Sequence, residues 1–82
     1  MFDVTYKKTT RKSNGLFIYV WFEGKAEALK TLTADTLKRW PNVLVTTLQL
    51  TKTHSMYSDN WIFVRGFVFD NPDDAMLFKL SY

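Results

Sequence analysis

Apolar and polar residues alternate at the start of the chain, with Phe2, Val4 and Tyr6 interleaved among Asp3, Thr5 and Lys7. A period of two is the mark of a strand with one buried face. Arg11-Lys12-Ser13-Asn14-Gly15 interrupts it, and Asn-Gly signals a hairpin turn because both residues tolerate positive φ. The second strand, residues 16–23, is apolar on both parities: Leu16, Ile18, Val20 and Phe22 on one side, Phe17, Tyr19 and Trp21 on the other. Over residues 25–40 the spacing changes to three and four, where Ala26, Leu29, Leu32 or Thr33, Leu37 and Trp40 form the apolar stripe of a helix. Thr33-Ala34-Asp35 offers a cap for a second, shorter helix, so a kink or break is expected near Thr31–Thr33. Pro41 ends the helical pattern, since proline drives the residue before it out of the α region.

Residues 43–53 are β-branched and alternating, and read as a third strand. Tyr57-Ser58-Asp59-Asn60 makes the turn into the fourth, residues 61–70, which again carries large apolar residues on both parities. Trp61, Phe63, Phe67 and Phe69 fall on one side, Ile62, Val64 and Val68 on the other. A complete helix start follows. Asn71 supplies a side-chain cap, Pro72 takes the first helical position, and Asp73 and Asp74 place carboxylates in the first turn, at the positive end of the helix dipole. The helix itself is expected over residues 75–80, anchored by Leu77, Phe78 and Leu80.

The order is therefore ββαββα. The simplest architecture is an α+β two-layer sandwich, a four-stranded antiparallel sheet with both helices on one face. No linker divides the chain, so residues 1–82 are expected to form a single domain. That length is near the lower limit for an unaided core, and with no cysteine there is no disulfide to assist it. Three Trp, four Tyr and seven Phe supply the needed burial, each ring covering roughly 150–250 Å². Cysteine-based zinc sites are excluded. No apolar run reaches the ~18 residues of a membrane span, and the amino terminus lacks the order of a signal peptide, so a soluble cytoplasmic protein is expected.

Net charge changes the picture locally. The excess of +3 lies within the first fifteen residues, where Lys7, Lys8, Arg11 and Lys12 face only Asp3; from Leu16 onward acids and bases cancel. A single basic segment points to contact with an anionic partner.

Candidate chemistry is sparse. His54 has Ser55, Ser58 and Asp59 nearby in sequence, but a triad needs groups that converge in space, and these crowd one turn. Asp73 and Asp74 are explained by capping, and consecutive helical positions point about 100° apart. Nucleotide-binding and metalloprotease motifs are missing. No catalysis, metal or cofactor is expected.

Binding is the better reading. Strands two and four carry more rings than one face can use, so some must face outward, and exposed aromatic patches usually mark interfaces. The expected contact is Tyr19, Trp21, Trp61, Phe63 and Arg65, with Lys7, Lys8, Arg11 and Lys12 steering an acidic surface or phosphate. A protein partner is the first expectation, a second copy of the chain being one form of it. Single-stranded nucleic acid on the sheet aromatics is the alternative.

The ending FDNPDDAMLFKLSY resembles those of small proteins of tailed bacteriophages, in which a strand leads into a D-x-x-D-A-x-x-F-K-L helix and a terminal aromatic. Asp70, Asp73 or Asp74, Ala75, Phe78, Lys79, Leu80 and Tyr82 carry the likeness. The resemblance implies an accessory protein in the host cytoplasm that binds and diverts a host component without catalysis. It assigns no functional residues.

Overall fold

A computed structural model describes residues 2–53 and 61–82. The elements are β1 (Val4–Lys12), β2 (Phe17–Gly24), α1 (Ala26–Arg39), β3 (Leu44–Val45), β4 (Gln49–Thr53), β5 (Trp61–Phe69) and α2 (Pro72–Ser81). The fold is α+β, with all strand pairs antiparallel. The sheet has five strands rather than the four expected, in the order β1-β2-β5-β3, and β4 pairs with β5 as well. The turn expected at Tyr57–Asn60, with His54, Ser55, Ser58 and Asp59, lies outside the described residues.

The fifth strand comes from a break in the expected third one. Thr46 donates its N–H to the Gly66 carbonyl, and its hydroxyl oxygen accepts from the Gly66 N–H, both at 2.9 Å. One residue thus satisfies both backbone groups of Gly66, and the ladder lapses until Gln49 rejoins β5 opposite Val64. Leu48, in the gap, packs against the core.

The first turn sits one step later than the basic segment suggested. Lys7 to Lys12 all belong to β1, and Ser13, Asn14 and Gly15 take φ of 56°, 58° and 86°. Consecutive positive φ values give the primed twist that matches two antiparallel strands. Leu16, expected in the second strand, lies in this turn and is exposed.

Helix α1 is a single helix. The threonines at the expected break instead donate to carbonyls one turn back, Thr31 to Glu27 and Thr33 to Leu29, at 3.0 and 2.7 Å, and Thr36 does the same to Leu32 at 2.7 Å. Back-bonding satisfies each hydroxyl within the helix, and no cap is left to start a second one. It also lets Thr36 be fully buried, so that the core stripe is Leu29, Leu32 and Thr36, while Leu37 is exposed.

Helix α2 starts as expected. The Asn71 side chain accepts from the N–H of Asp73 and Asp74 at 2.8 and 3.4 Å. Its anchors differ from those expected. Ala75 and Phe78, three residues apart and therefore on one face, are buried; Leu77 and Leu80 are exposed.

Both helices pack on one face of the sheet. Leu29 and Leu32 of α1 join Ala75 and Phe78 of α2 in a cluster with Ile18, Val20 and Phe22 of β2 and Phe67 and Phe69 of β5. Phe78 is its hub, with ring centroids 4.9 Å from Phe67, 5.2 Å from Phe69, 5.3 Å from Phe22 and Tyr82, and 5.8 Å from Trp40. Tyr82 closes the end, its hydroxyl donating to the Asp35 carboxylate of α1 and its ring meeting Phe2 at 5.5 Å.

Two expectations follow. Phe78→Ala should cost about 3–5 kcal/mol by the lost ring and the cavity left behind, whereas Leu80→Ala, at a side chain 76% exposed, should stay within about 0.5 kcal/mol; urea denaturation measures both. Burial, and after it the bond to Asp35, raises the Tyr82 pKa above the ordinary 10.0. A raised pKa contributes stability that is present below the unfolded value and lost as pH rises through the folded one. Thermal stability should therefore fall above about pH 10, and Tyr82→Phe should flatten that loss.

Candidate binding surface

The register assigns every strand residue to a face. Phe22 pairs with Arg65, Val20 with Phe67 and Ile18 with Phe69, all toward the helices; Trp21 pairs with Gly66, Tyr19 with Val68 and Glu23 with Val64 on the opposite face. Of the five expected contact residues, only Tyr19 and Trp21 meet on the face away from the helices. Phe63 shares its parity with Arg65 and packs against the core. Trp61, 51% exposed, is also on the helix side, where with Phe63 it lines an open hollow of about 450 Å³ beside Lys25 and the first residues of α1, Ala26 and Glu27.

Arg65 is held by α1. Its Nη1 donates to the Thr33 hydroxyl at 2.9 Å, its Nε has no partner among the described residues, and burial lowers its pKa. It is a tie between layers with one donor unpaired. Because Thr33 still donates to Leu29 without it, Arg65→Met should leave the urea midpoint unchanged or raise it.

The face away from the helices is ordered in rows across the strands. One row runs Thr10–Tyr19–Val68–Leu44, and the next contains Lys8, Trp21 and Gly66; Lys12 pairs with Phe17 at the hairpin end. The lysines reach this face because of a bulge. Tyr6 pairs with Phe22, but Lys8 pairs with Trp21, so Lys7 is an extra residue and the strand changes parity. Before the bulge Val4 and Tyr6 face the helices. After it Lys8, Thr10 and Lys12 face outward and Thr9 and Arg11 turn inward. Without that extra residue every one of these side chains would be on the other side.

Tyr19 and Trp21 form the centre. Their rings lie within 18° of parallel with centroids 5.9 Å apart. The six-membered ring of Trp21 lies over Gly66, so close that a Cβ there would meet three ring carbons at 3.0–3.1 Å; only glycine permits the approach. The indole N–H donates to the Thr10 hydroxyl at 3.0 Å. The Lys12 ammonium lies 4.8 Å from the Tyr19 ring centre and the Lys8 ammonium 5.8 Å from that of Trp21. At exposed positions such contacts are worth roughly 0.5–1 kcal/mol each, little enough for the lysines to leave when a stronger counter-charge arrives. Glu23, at the far end, accepts a 3.4 Å bond from Thr51.

The other two basic residues of the segment lie off this platform. Lys7 is exposed at the bulge, and Arg11 lines a groove of about 210 Å³ between β1 and α2, with Tyr6, Thr9, Met76 and Lys79. Thr10 and Gly66, which orient Trp21, escaped the sequence reading. A glycine inside an otherwise aromatic strand is the signal that could have found Gly66, since it marks close approach to the backbone.

A third cavity, about 270 Å³, lies where α1 ends and α2 begins, with Arg39, Trp40, Asn42, Asp70 and Asp74 on its walls. Its polar lining holds two carboxylates, Asp70 and Asp74, and the Arg39 guanidinium, with no histidine, serine or cysteine. Among the described residues no three His, Cys, Asp or Glu side chains gather as metal ligands, and no helix is long and apolar enough to cross a membrane. The chain matches no family model, no curated protein and no solved structure.

Proposed function

We propose that the protein is a non-catalytic binding module whose contact surface is the sheet face opposite the helices. The observation that supports this reading is the pair of parallel rings, Tyr19 and Trp21, flanked by Lys8 and Lys12 on a face to which neither core helix belongs. Aromatic side chains held by a rigid sheet dock a partner at low entropic cost, since few rotamers are lost on binding. The cationic edge adds steering toward an acidic or phosphorylated surface. Trp61, Phe63 and Arg65 are not part of this contact.

A protein partner is one occupant of such a face. Phe17 and Leu44, 40% and 64% exposed, extend the apolar area at the hairpin end, and a second copy of the chain would cover it in the same way. The accessory role implied by the carboxyl-terminal resemblance fits a protein that occupies a host component in the cytoplasm rather than transforming it.

The test is affinity capture from lysate, with and without nuclease, using the wild type and a Tyr19→Ser/Trp21→Ser variant shown to be folded by circular dichroism. A partner retained by the wild type should be depleted about tenfold or more in the variant, as expected on removing central aromatic contacts. Equal recovery by both would place the contact elsewhere.

A further inference from the structure

We infer that the partner of the Tyr19–Trp21 face is single-stranded nucleic acid, bound by base stacking on the two rings with its phosphates along β1. This inference rests on the binding-module reading above and names its ligand. Three observations carry it.

The first is the shape of the platform. Trp21 lies across Gly66 and is fixed by its bond to Thr10, with Tyr19 near-parallel beside it. Flat rings held in this way present faces on which unpaired bases stack, whatever their identity. The Thr10 hydroxyl accepts from the Trp21 indole and so holds the ring in place, and the two rings give the centre of the platform its stacking area.

The second is charge. Lys8 and Lys12 lie over the rings, and four residues of strand place them roughly 13 Å apart, on either side of the aromatic pair. Lys7 and Arg11 belong to the same edge strand but project off the platform, so Lys8 and Lys12 are its cations. Among the described residues the acids by this face stand at its ends, Glu23 at one and Asp70, beside Phe17, Val68 and Leu44, at the other. Phosphates approaching β1 meet cations and can draw the ammonium groups off the rings as the bases arrive.

The third is spacing. The ring centroids are 5.9 Å apart, well beyond the ~3.4 Å rise between stacked bases of a duplex strand. Neighbouring bases that each cover one ring must be splayed, and duplex bases, stacked on each other, have no free faces to offer. The platform therefore selects single strands.

The experiment titrates the purified protein with oligothymidylate and oligouridylate of about ten nucleotides, a length within the usual site sizes, and with duplex of the same length. Two to four phosphate contacts give a salt slope of about −1.4 to −2.8, so affinity for the single strand should fall roughly 7- to 50-fold between 50 and 200 mM salt. Single strands should bind more tightly than duplex. Tyr19→Ala should weaken binding about tenfold, and Trp21→Phe should keep most of it. Should Tyr19→Ala fail to fold, NMR of the wild type decides: the Trp21 indole N–H must shift on titration while that of Trp40 stays fixed. No binding at low salt, equal affinity for duplex, or a stationary Trp21 resonance would overturn the inference. If capture of a protein after nuclease treatment is still lost in the Tyr19→Ser/Trp21→Ser variant, only the choice of ligand fails. If neither assay responds to the two rings, the binding-module reading fails with it.

Discussion

Phe78 is the residue on which the two layers depend. Five rings meet it at centroid distances of 4.9–5.8 Å, and they come from β2, β5, the end of α1 and the residue after α2. In a chain of this size no second core could replace that junction. Its consequence extends to the opposite side of the sheet. Since α2 must lie where Phe78 reaches Phe22 and Phe67, and α1 must lie beside it to bring Trp40 into contact, both helices are committed to one face. The other face keeps Tyr19, Trp21 and Val68 without helical cover.

Two irregularities turn that uncovered face into a surface with chemistry. The bulge at Lys7 reverses the parity of the rest of β1 and so carries Lys8 and Lys12 to the rings. Gly66 removes the one side chain that would hold the Trp21 ring off the sheet, and it is fixed from its other edge by both polar groups of Thr46. Neither feature adds much to the core. Together they arrange a flat aromatic pair with a cation beside each ring.

Much of the fold was legible because its signals were local. Asn71-Pro72-Asp73-Asp74 announced α2 through capping chemistry, Asn14-Gly15 announced the first hairpin, alternation announced β1, and a run of aromatic and β-branched residues announced β5. What escaped depended on tertiary partners. Thr33 reads equally well as a cap or as a back-bonded helical residue until Arg65 is seen to reach it. Thr46 ends a ladder only because Gly66 lies opposite. Leu77 and Leu80 look like anchors in a helix so short that its buried face is one turn wide, occupied by Ala75 and Phe78. The candidate site was half legible. Tyr19 and Trp21 were identified from the double-sided pattern of β2, but grouping Arg65 with them overlooked that it stands two residues from Phe63 and from Phe67, and so on the core side. That Lys8 and Lys12, rather than Lys7 and Arg11, would meet the rings could not be read, because a one-residue bulge leaves no mark in a period-two pattern of threonines and lysines.

The central claim, that one ring gathers both helices onto a single face and leaves Tyr19 and Trp21 on the other, is tested most directly by a nuclear Overhauser spectrum of the free protein. The Phe78 ring should show cross-peaks to Phe22, Phe67, Phe69 and Trp40, while the Tyr19 and Trp21 rings should connect to each other, to Gly66 and to the side chains of Lys8, Thr10 and Lys12. Cross-peaks from Trp21 or Tyr19 to any residue of α1 or α2 would contradict the account.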